Sequence, residues 1–189
     1  QWQFVAGRTS PRCVGDFTDM TAGLPAVDLG AVAWGDYDGD GDLDLFLMSQ
    51  STNELMSRIY RNDAGAWTLL NAGLTPLADG AAAWGDYDGD GDLDLLLTGH
   101  DGANALTNLY ANGGNGVFTA VNPALPGVAN SAAAWGDYDN DGDLDLLIAG
   151  SNGGRLTRVY RNDALTFVDS AITLPGITDG TVAWQDYDN

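Results

Sequence analysis

The chain has 189 residues, 44% of them hydrophobic, which is enough for a packed core and suggests one domain or a part of one. Acidic residues outnumber Lys and Arg by 27 to 7 and give a formal charge of −20, so nucleic acid and anionic membrane surfaces are excluded as default partners. No apolar run is long enough to span a bilayer.

The N-terminal segment matches the second half of a unit that recurs further along the chain. Residues 17–24, Phe-Thr-Asp-Met-Thr-Ala-Gly-Leu, align with residues 67–74, Trp-Thr-Leu-Leu-Asn-Ala-Gly-Leu. We therefore expect residues 1–28 to supply the end of a repeat, with a strand at 1–6. Cys13, the only cysteine, is expected to be a small apolar strand residue or to pair with a cysteine of another segment or chain.

The recurring unit is about 50 residues long. Trp34, Trp84, Trp135 and Trp184 are separated by 50, 51 and 49 residues. A period of this length is typical of propellers, solenoids and arrays, and a β-solenoid or a string of separate repeats is the alternative to a propeller. We divide the chain into the end of a repeat at 1–28, complete repeats at 29–78, 79–129 and 130–178, and the start of a repeat at 179–189.

Each complete repeat contains four strand signals, named A to D in chain order. Strand A is short and rich in Ala, which suits a crowded position near a central axis. Strand B shows the two-residue period of a β-strand, with Leu43, Leu45 and Leu47 alternating with Asp44 and Phe46. Strand A is predicted at 31–34, 81–84, 132–135 and 181–184, and strand B at 43–48, 93–98 and 144–149.

Strands C and D read as a hairpin. The last three residues of strand C are 59–61, 109–111 and 159–161 in the three repeats. Strand D begins at Trp67, Phe118 and Phe167. The residues between them are rich in Asn, Asp and Gly, as hairpin turns are, and no stretch has a helical period. The sequence therefore predicts an all-β chain, a β-propeller of four-stranded antiparallel blades, with three complete blades plus split partial blades.

The aspartates are concentrated in four short clusters, each directly after strand A, and in the three complete repeats strand B follows. Three clusters are complete and in identical register, with side-chain oxygens at loop positions 1, 3, 5 and 9 and glycine at position 6. The complete clusters are Asp36, Asp38, Asp40, Asp42 and Asp44; Asp86, Asp88, Asp90, Asp92 and Asp94; and Asp137, Asp139, Asp141, Asp143 and Asp145. The fourth has Asp186 and Asp188 but lacks positions 5 and 9.

This spacing predicts calcium sites. Calcium takes six to eight oxygen ligands in a flexible cage, whereas magnesium prefers to keep its waters, and no Cys/His set suggests zinc or iron. An EF-hand would need an acid at position 12 and flanking helices, but position 12 is Leu47, Leu97 or Ile148 and the flanks resemble strands. We expect three complete Ca²⁺ sites and an incomplete fourth.

The repeats resemble FG-GAP/VCBS-type repeats, the calcium-loop blades of integrin α-chain propellers and of many secreted bacterial proteins. The resemblance rests on Trp34-Gly35, Trp84-Gly85 and Trp135-Gly136, on the aspartate loops and on the apolar strand after each. Trp replaces the Phe of the family name and the Gly-Ala-Pro segment is absent, which favours the bacterial branch over integrin-like adhesion. The resemblance implies a calcium-bearing propeller and names no ligand.

Connectivity places the loops of the predicted blades on two ends. The A–B and C–D turns share the calcium end, while the variable B–C loops share the opposite end with the D–A loops. We expect a protein or glycan ligand at that opposite end, because binding sites tend to lie on variable loops held by a rigid scaffold. The alternative is that these loops vary because nothing constrains them.

Four other residue types have either a structural or a functional interpretation. His100 is a surface loop residue or a general base, and the arginines of strand C offset nearby Asp or bind an anionic ligand. The loop tyrosines are packing anchors or a sugar platform, and the strand A tryptophans lie between blades or bind ligand. These arginines and tyrosines are Arg58, Arg61, Arg158 and Arg161, and Tyr37, Tyr87, Tyr138 and Tyr187.

The predicted function is a non-enzymatic, extracellular or cell-surface module for adhesion or recognition. A structural subunit of a larger surface or filamentous object is one alternative, and part of a carbohydrate-active secreted enzyme is another. Three full blades and two partial ones do not close a ring of five or more, and closing four would leave strand edges unpaired. We therefore expect a missing segment or another chain to complete the propeller.

Overall fold

The computed structural model describes residues 22–28, 30–50, 54–114 and 116–185. These residues form twelve β-strands and no helix. The strands are β1 (Ala31–Gly35), β2 (Asp44–Gln50), β3 (Leu55–Asp63), β4 (Ala66–Leu70), β5 (Ala82–Gly85), β6 (Asp94–His100), β7 (Ala105–Asn112), β8 (Phe118–Val121), β9 (Ala129–Gly136), β10 (Asp145–Ser151), β11 (Arg155–Asn162) and β12 (Phe167–Asp169). The strand predicted at 1–6, Cys13, Asp186, Tyr187 and Asp188 lie outside the described residues.

The strands form three antiparallel sheets in which every strand pairs with its neighbour in the sequence. The orders are β1-β2-β3-β4, β5-β6-β7-β8 and β9-β10-β11-β12. The first strands of the sheets contact one another, β1 with β5 and β5 with β9, as inner strands do around a propeller axis. The prediction of an all-β propeller built from four-stranded blades is confirmed.

The second strand of each blade is buried on both faces. In β2, Leu45, Phe46 and Leu47 are all at most 5% exposed. Phe46 packs in a core shared with the second blade, whereas Leu45 and Leu47 pack in a separate cluster. The alternation of leucines predicted the strand correctly but does not mark a solvent face, and Leu43 precedes the strand and is 56% exposed.

Adjacent blades are joined by a tryptophan that packs on a glycine. Trp84, Trp135 and Trp184 each lie against the glycine that ends the first strand of the preceding blade. Each indole Nε1 also donates a hydrogen bond of 3.2–3.3 Å to a carbonyl of that same strand. These three tryptophans therefore lie between blades, as expected. Trp34 does not, because it is 56% exposed and contacts Trp67 of its own blade.

The strand predicted at 181–184 is absent, since residues 181–185 carry no strand pairing. In the other blades the first strand is held by the second strand, and that pairing has no counterpart among the described residues of the fourth repeat. Trp184 nevertheless keeps the packing of its equivalents, stacked on Tyr138 with ring centroids 6.1 Å apart. Packing on the preceding blade therefore fixes this segment without a sheet.

The loops divide between two ends of each blade as the connectivity predicts. At one end, the backbone N–H of Ala64 in a C–D turn donates to Asp42 of the A–B loop at 2.8 Å. At the other end, the N–H of Ala78 in a D–A loop donates to the carbonyl of His100, where the B–C loop begins, at 3.0 Å. The aspartate loops thus share one end of the molecule.

Candidate metal centres

Each complete aspartate loop gathers three carboxylates at one point. In every cluster the three residues can bring one oxygen each to within 4.8 Å of the others. The clusters are Asp36, Asp38 and Asp40; Asp86, Asp88 and Asp90; and Asp137, Asp139 and Asp145. Positions 1 and 3 contribute in all three loops, joined by position 5 in the first two and by position 9 in the third.

The first aspartate shapes each loop by accepting backbone hydrogen bonds. The two carboxylate oxygens of Asp36 accept from the N–H groups of Asp40 and Gly41, at 3.1 and 3.0 Å. Gly41 has a φ of 94°, a left-handed conformation that glycine adopts readily, and this explains glycine at position 6. The second and third loops repeat both bonds at 3.1 Å.

The ninth aspartate is a buried clamp. Asp44 is 0% exposed, and its oxygens accept hydrogen bonds from the N–H groups of Tyr37 and Asn62 at 3.1 and 2.9 Å. Asp94 and Asp145 are also 0% exposed and make the equivalent pairs of bonds. This carboxylate therefore ties the loop to the end of the third strand, and its remaining lone pairs are free to face a cation.

One oxygen of the first loop needs a partner that the described residues do not supply. Asp38 Oδ1 is buried and accepts no hydrogen bond within the described part of the chain. An unpartnered buried carboxylate oxygen is costly, and a bound cation removes that cost. Because the donor set is entirely carboxylate oxygen, the residues fit a hard divalent cation better than zinc, which prefers nitrogen and sulfur ligands.

Burial and mutual repulsion raise the pKa values of some of the loop carboxylates, namely Asp38, Asp44, Asp88, Asp94 and Asp139. Desolvation raises the pKa of Asp94 to about 6, against two backbone hydrogen bonds that lower it. Desolvation, followed by the charge of the aspartate two positions later, raises the pKa values of Asp38, Asp88 and Asp139. Without a cation, the ionised forms of these carboxyl groups are therefore disfavoured, as expected of sites that bind a cation.

Arginines lie beside the first and third loops but not beside the second. Arg161 Nε is 3.9 Å from Asp139, and the guanidinium also donates to Asp163 at 2.6 Å. Arg61 makes the equivalent 2.6 Å contact with Asp63, and its charge opposes part of the rise that burial causes in the pKa of Asp38. The second blade has Ala111 at this position. The expectation that the strand C arginines offset nearby Asp is confirmed for Arg61, Arg158 and Arg161. Arg58 instead lies 3.7 Å from Glu54.

Asp42 links its loop to the C–D turn, because its Oδ2 accepts the N–H of Ala64 at 2.8 Å. The backbone N–H of Asp42 donates to Asp40 at 2.8 Å. The equivalent N–H bonds of Asp92 and Asp143 measure 2.9 and 3.0 Å. Position 7 therefore supports the loop through its backbone.

Sequence reasoning placed an asparagine of each repeat in the C–D turn but missed its contact with the ninth aspartate. The structure places this asparagine at or next to the end of the third strand. Asn62, Asn112 and Asn162 each donate their backbone N–H to the ninth aspartate of their own blade. Their recurrence directly after a Tyr-Arg or Tyr-Ala pair, in the register of the repeat, is the signal that marks them. They bring the C–D turn into the structure of the metal loop.

Within the part of the chain that the structure describes, the loop tyrosines Tyr37, Tyr87 and Tyr138 are packing anchors, as expected. Tyr37 and Tyr87 are 2% and 6% exposed and stack on Trp84 and Trp135 of the following blade, at 6.3 and 6.4 Å between ring centroids. Burial raises the pKa of Tyr37 to about 12, so its hydroxyl stays protonated. These side chains are not available as a sugar platform.

The opposite end carries a shallow polar pocket near the start of the first strands. Asp79, Asn130 and Asp179 line it, linked by hydrogen bonds between their own backbone groups. His100 contacts Asp79 at 2.9 Å, and its other ring nitrogen accepts the N–H of Gly102. His100 is therefore a paired residue at the rim of this end, and both ring nitrogens are engaged.

Comparison with models of protein families identifies the repeat. A family model described as the FG-GAP-like repeat matches residues 36–97 and again residues 86–148. Each match begins at the first aspartate of a loop and runs through the following loop into its second strand. No curated protein matches the chain. Among the described residues there is no helix that could cross a membrane.

Proposed function

The chain belongs to the FG-GAP-like repeat family, and from this premise we propose that it is a calcium-stabilised β-propeller module for adhesion or recognition. It works outside the cell, without enzymatic activity, and binds a protein or glycan. The calcium ions stabilise the loop of each blade and take no part in any reaction. Repeats of this family are generally non-enzymatic and typically extracellular, which supports the proposal.

The observation that carries the proposal is the threefold convergence of carboxylates. Three loops, each between the first and second strands of a blade, bring three aspartates within 4.8 Å of one another. A single acidic cluster is common without a metal, but the same register in three blades is not explained by chance. The unpartnered buried oxygen of Asp38 adds a site that a cation would satisfy.

The residues that would hold each ion are those at positions 1, 3, 5 and 9 of the loops. In the first blade these are Asp36, Asp38, Asp40 and Asp44. A bound divalent cation supplies positive charge that offsets the repulsion between these carboxylates. Extracellular modules bind calcium with dissociation constants of roughly 10⁻⁴–10⁻³ M, matched to millimolar external calcium.

Thermal unfolding with and without calcium tests the proposal. A site held at ~100 times its dissociation constant adds roughly 2.7 kcal/mol to the free energy of unfolding, so three sites dominate the stability of a chain this small. We expect EDTA to lower Tm substantially and added calcium to restore it. Native mass spectrometry should count three ions in the complete loops. A melting curve that is the same in EDTA and in calcium would contradict the proposal.

Matched variants separate metal binding from general acidity. Asp88→Ala removes a clustered carboxylate and should lose one ion, together with part of the calcium-dependent rise in Tm. Asp101→Asn removes an exposed acid of a B–C loop at the other end of the blade, and we expect it to keep every ion. Equal loss in both variants would show that calcium only screens the net charge.

Ligand binding is proposed at the end opposite the aspartate loops. The B–C loops differ between blades, and the polar pocket lined by Asp79, Asn130 and Asp179 lies at this end. A glycan array and a screen against secreted proteins, each run in calcium, should identify a ligand whose binding Asn130→Ala or Asp179→Ala weakens. Binding that these variants leave unchanged would place the ligand elsewhere. Turnover in a glycoside hydrolase screen would favour the enzymatic alternative.

A further inference from the structure

We propose that Asn112 and Asn162 couple the metal loops of adjacent blades, so that filling one loop strengthens calcium binding at the next. The proposal rests on the proposed function, because it assumes that the loops bind calcium. In this proposal the two buried asparagines do not bind the ion; each one positions the metal loop of the preceding blade relative to that of its own blade. The described loops then behave as one linked series rather than as three separate sites.

Asn112 joins two metal loops with one side chain. Its Nδ2 donates to the carbonyl of Tyr37 in the first loop at 2.8 Å and to the carbonyl of Leu93 in the second loop at 3.1 Å. Its Oδ1 accepts the N–H of Gly114, and its own backbone N–H donates to Asp94 at 2.8 Å. Asn112 is 1% exposed. Its hydrogen-bonding groups are thus divided between two blades.

Asn162 repeats the arrangement one blade further on. Its Nδ2 donates to the carbonyl of Tyr87 at 2.9 Å, and its backbone N–H donates to Asp145 at 2.9 Å. Its Oδ1 accepts the N–H of Leu165, and the residue is 0% exposed. Two independent copies of one buried link argue against an accident of packing.

The links form a continuous chain from loop to loop. The Tyr37 carbonyl accepts from Asn112, whose backbone N–H donates to one oxygen of Asp94. The other oxygen of Asp94 accepts the N–H of Tyr87 at 2.9 Å. The carbonyl of Tyr87 then accepts from Asn162, whose N–H donates to Asp145. Three loops are therefore connected through buried hydrogen bonds.

Tyr37 and Tyr87 bring this series of hydrogen bonds directly beside the clustered carboxylates. Tyr37 lies between Asp36 and Asp38 in the sequence, and Tyr87 lies between Asp86 and Asp88. A cation that fixes the flanking carboxylates also fixes the peptide groups of the tyrosine. A buried hydrogen bond with a fixed acceptor costs less freedom to form, and hydrogen bonds in a chain strengthen one another. Filling one loop therefore prepares the next.

Asn62 is a natural control for this effect. It makes the same local bonds, from Nδ2 to the carbonyl of Leu43 and from the N–H of Gly65 to Oδ1. Within the described residues it has no hydrogen bond to another blade. Comparing Asn112→Ala with Asn62→Ala therefore separates the link between blades from the support of a blade's own turn.

Site-resolved calcium titration of the full chain tests the proposal. The backbone amides of Gly41 and Gly91, at position 6 of the first two loops, report the filling of each loop by NMR. Asp86→Asn combined with Asp88→Asn disables the second loop. In the parent chain we expect this to raise the calcium midpoint of Gly41 by about fivefold or more, the usual range of coupling between sites.

The asparagine variants decide the cause of any coupling. In the Asn112→Ala background the midpoint of Gly41 should be the same whether or not the second loop is disabled. In the Asn62→Ala background the dependence should persist. An Asn112→Ala chain that keeps the dependence would overturn the proposal. The proposal would also be overturned if, in the parent chain, the calcium midpoint of Gly41 did not depend on the second loop. That result would leave the proposed function, calcium binding by the loops, intact. A chain whose loops bind no calcium overturns the proposed function as well.

A second measurement serves if Asn112→Ala does not fold. In the chain with its second loop disabled, calcium binding at the first loop should shift the side-chain Nδ2 resonances of Asn112. Those resonances report the hydrogen bond to Tyr37 directly. Resonances that do not move while Gly41 titrates would overturn the proposal.

Discussion

At Gly35, Gly85 and Gly136 the absence of a side chain decides how closely two blades approach. A Cβ placed at these positions would lie 2.6–2.8 Å from the indole of the next blade. Such contacts are too short for carbon atoms, so the tryptophan or the strand would have to move. The two residues of each Trp-Gly pair thus belong to different interfaces. In the second blade, Trp84 packs on the preceding blade and Gly85 receives the tryptophan of the following blade.

We therefore predict that Gly85→Ala destabilises the chain by about 1–3 kcal/mol, the usual range for overpacking a close contact. Urea unfolding monitored by tryptophan fluorescence measures the change. Gly154→Ala is the control, because the added Cβ would meet no atom within 4 Å, and we expect a change within about 0.5 kcal/mol. Equal losses in the two variants would contradict the packing argument.

The raised pKa of Asp94 predicts a pH dependence whose sign reverses with calcium. Without a cation, the pKa of Asp94 is about 6 in the folded chain against 3.8 for the free group, so the folded chain holds this proton more tightly. The stabilisation is complete below pH 3.8 and is lost as the pH rises through about 6. With calcium, binding needs the ionised carboxylates, so stability should rise over the same window.

Melting curves between pH 4 and pH 7, in EDTA and in calcium, check this prediction. We expect Tm to fall with rising pH in EDTA and to rise in calcium. The raised pKa values of Asp38, Asp88 and Asp139 act in the same direction as that of Asp94. Parallel curves in the two conditions would show that these carboxylates do not face the ion.

The arginine beside a loop should weaken its affinity for a cation. Arg161 lies 3.9 Å from Asp139 in the third blade, whereas the second blade has Ala111 at the same position. We expect Arg161→Ala to tighten calcium binding at the third loop a few-fold and Ala111→Arg to weaken it at the second, because a nearby positive charge repels the ion. Isothermal titration calorimetry of both variants measures the changes. Changes of the same sign in both would contradict the charge argument.

At the scale of the element, the second strand is where each blade meets its neighbours. Leu96 in β6 is 0% exposed and packs in a core shared by the second and third blades. Its neighbours Leu95 and Leu97 pack in the core shared with the first blade. A single strand therefore supplies side chains to two interfaces, which explains why it is apolar at consecutive positions.

Leu96→Ala should accordingly cost about 2–5 kcal/mol, as truncation of a fully buried leucine does. Chemical denaturation in calcium measures the free energy of unfolding. Leu69→Ala on β4 is the matched control, because Leu69 is 52% exposed and its truncation should change stability little. A cost at Leu96 no larger than that at Leu69 would show that the blades do not pack as described.

At the scale of the molecule, the formal charge of −20 is concentrated at one end of the blades. Metal-free loops repel one another, and salt screens this repulsion between charges that are farther apart than the Debye length. That length is about 10 Å at 0.1 M salt and about 3 Å at 1 M. We predict that sodium chloride raises Tm more in EDTA than in calcium, because bound calcium already offsets the charge. Thermal melts in both conditions measure the two salt dependences, and an equal response would contradict the prediction.

Completion of the ring stays a prediction. The described residues form three blades, and the exposed Trp34 and Val32 of β1 lie where a preceding blade would pack by analogy with Trp84 and Trp135. Sedimentation analysis of this chain, alone and with candidate neighbouring segments, would show whether another chain or segment covers this face.

The features that depend on residues close together in the chain could be predicted from the amino-acid sequence. The period of the tryptophans, four strands per repeat and the register of the aspartate loops follow from spacing, turn residues and hydrophobic pattern, all within one repeat. The strand bounds followed within a few residues for the same reason. Each loop contains bonds between residues close in the sequence, such as that between Asp36 and Gly41, which a local pattern can specify.

The contacts between repeats could not be predicted from the sequence and are seen in the folded chain. The bond from Asn112 to Tyr37 joins residues 75 positions apart, and no local pattern specifies it. The burial of both faces of β2, the exposure of Trp34 and the missing strand at 181–184 depend likewise on which blade lies alongside. A residue's type and spacing give its place within a blade, but its contacts are set by the neighbouring blade, because the blades are held together chiefly by packing across their faces.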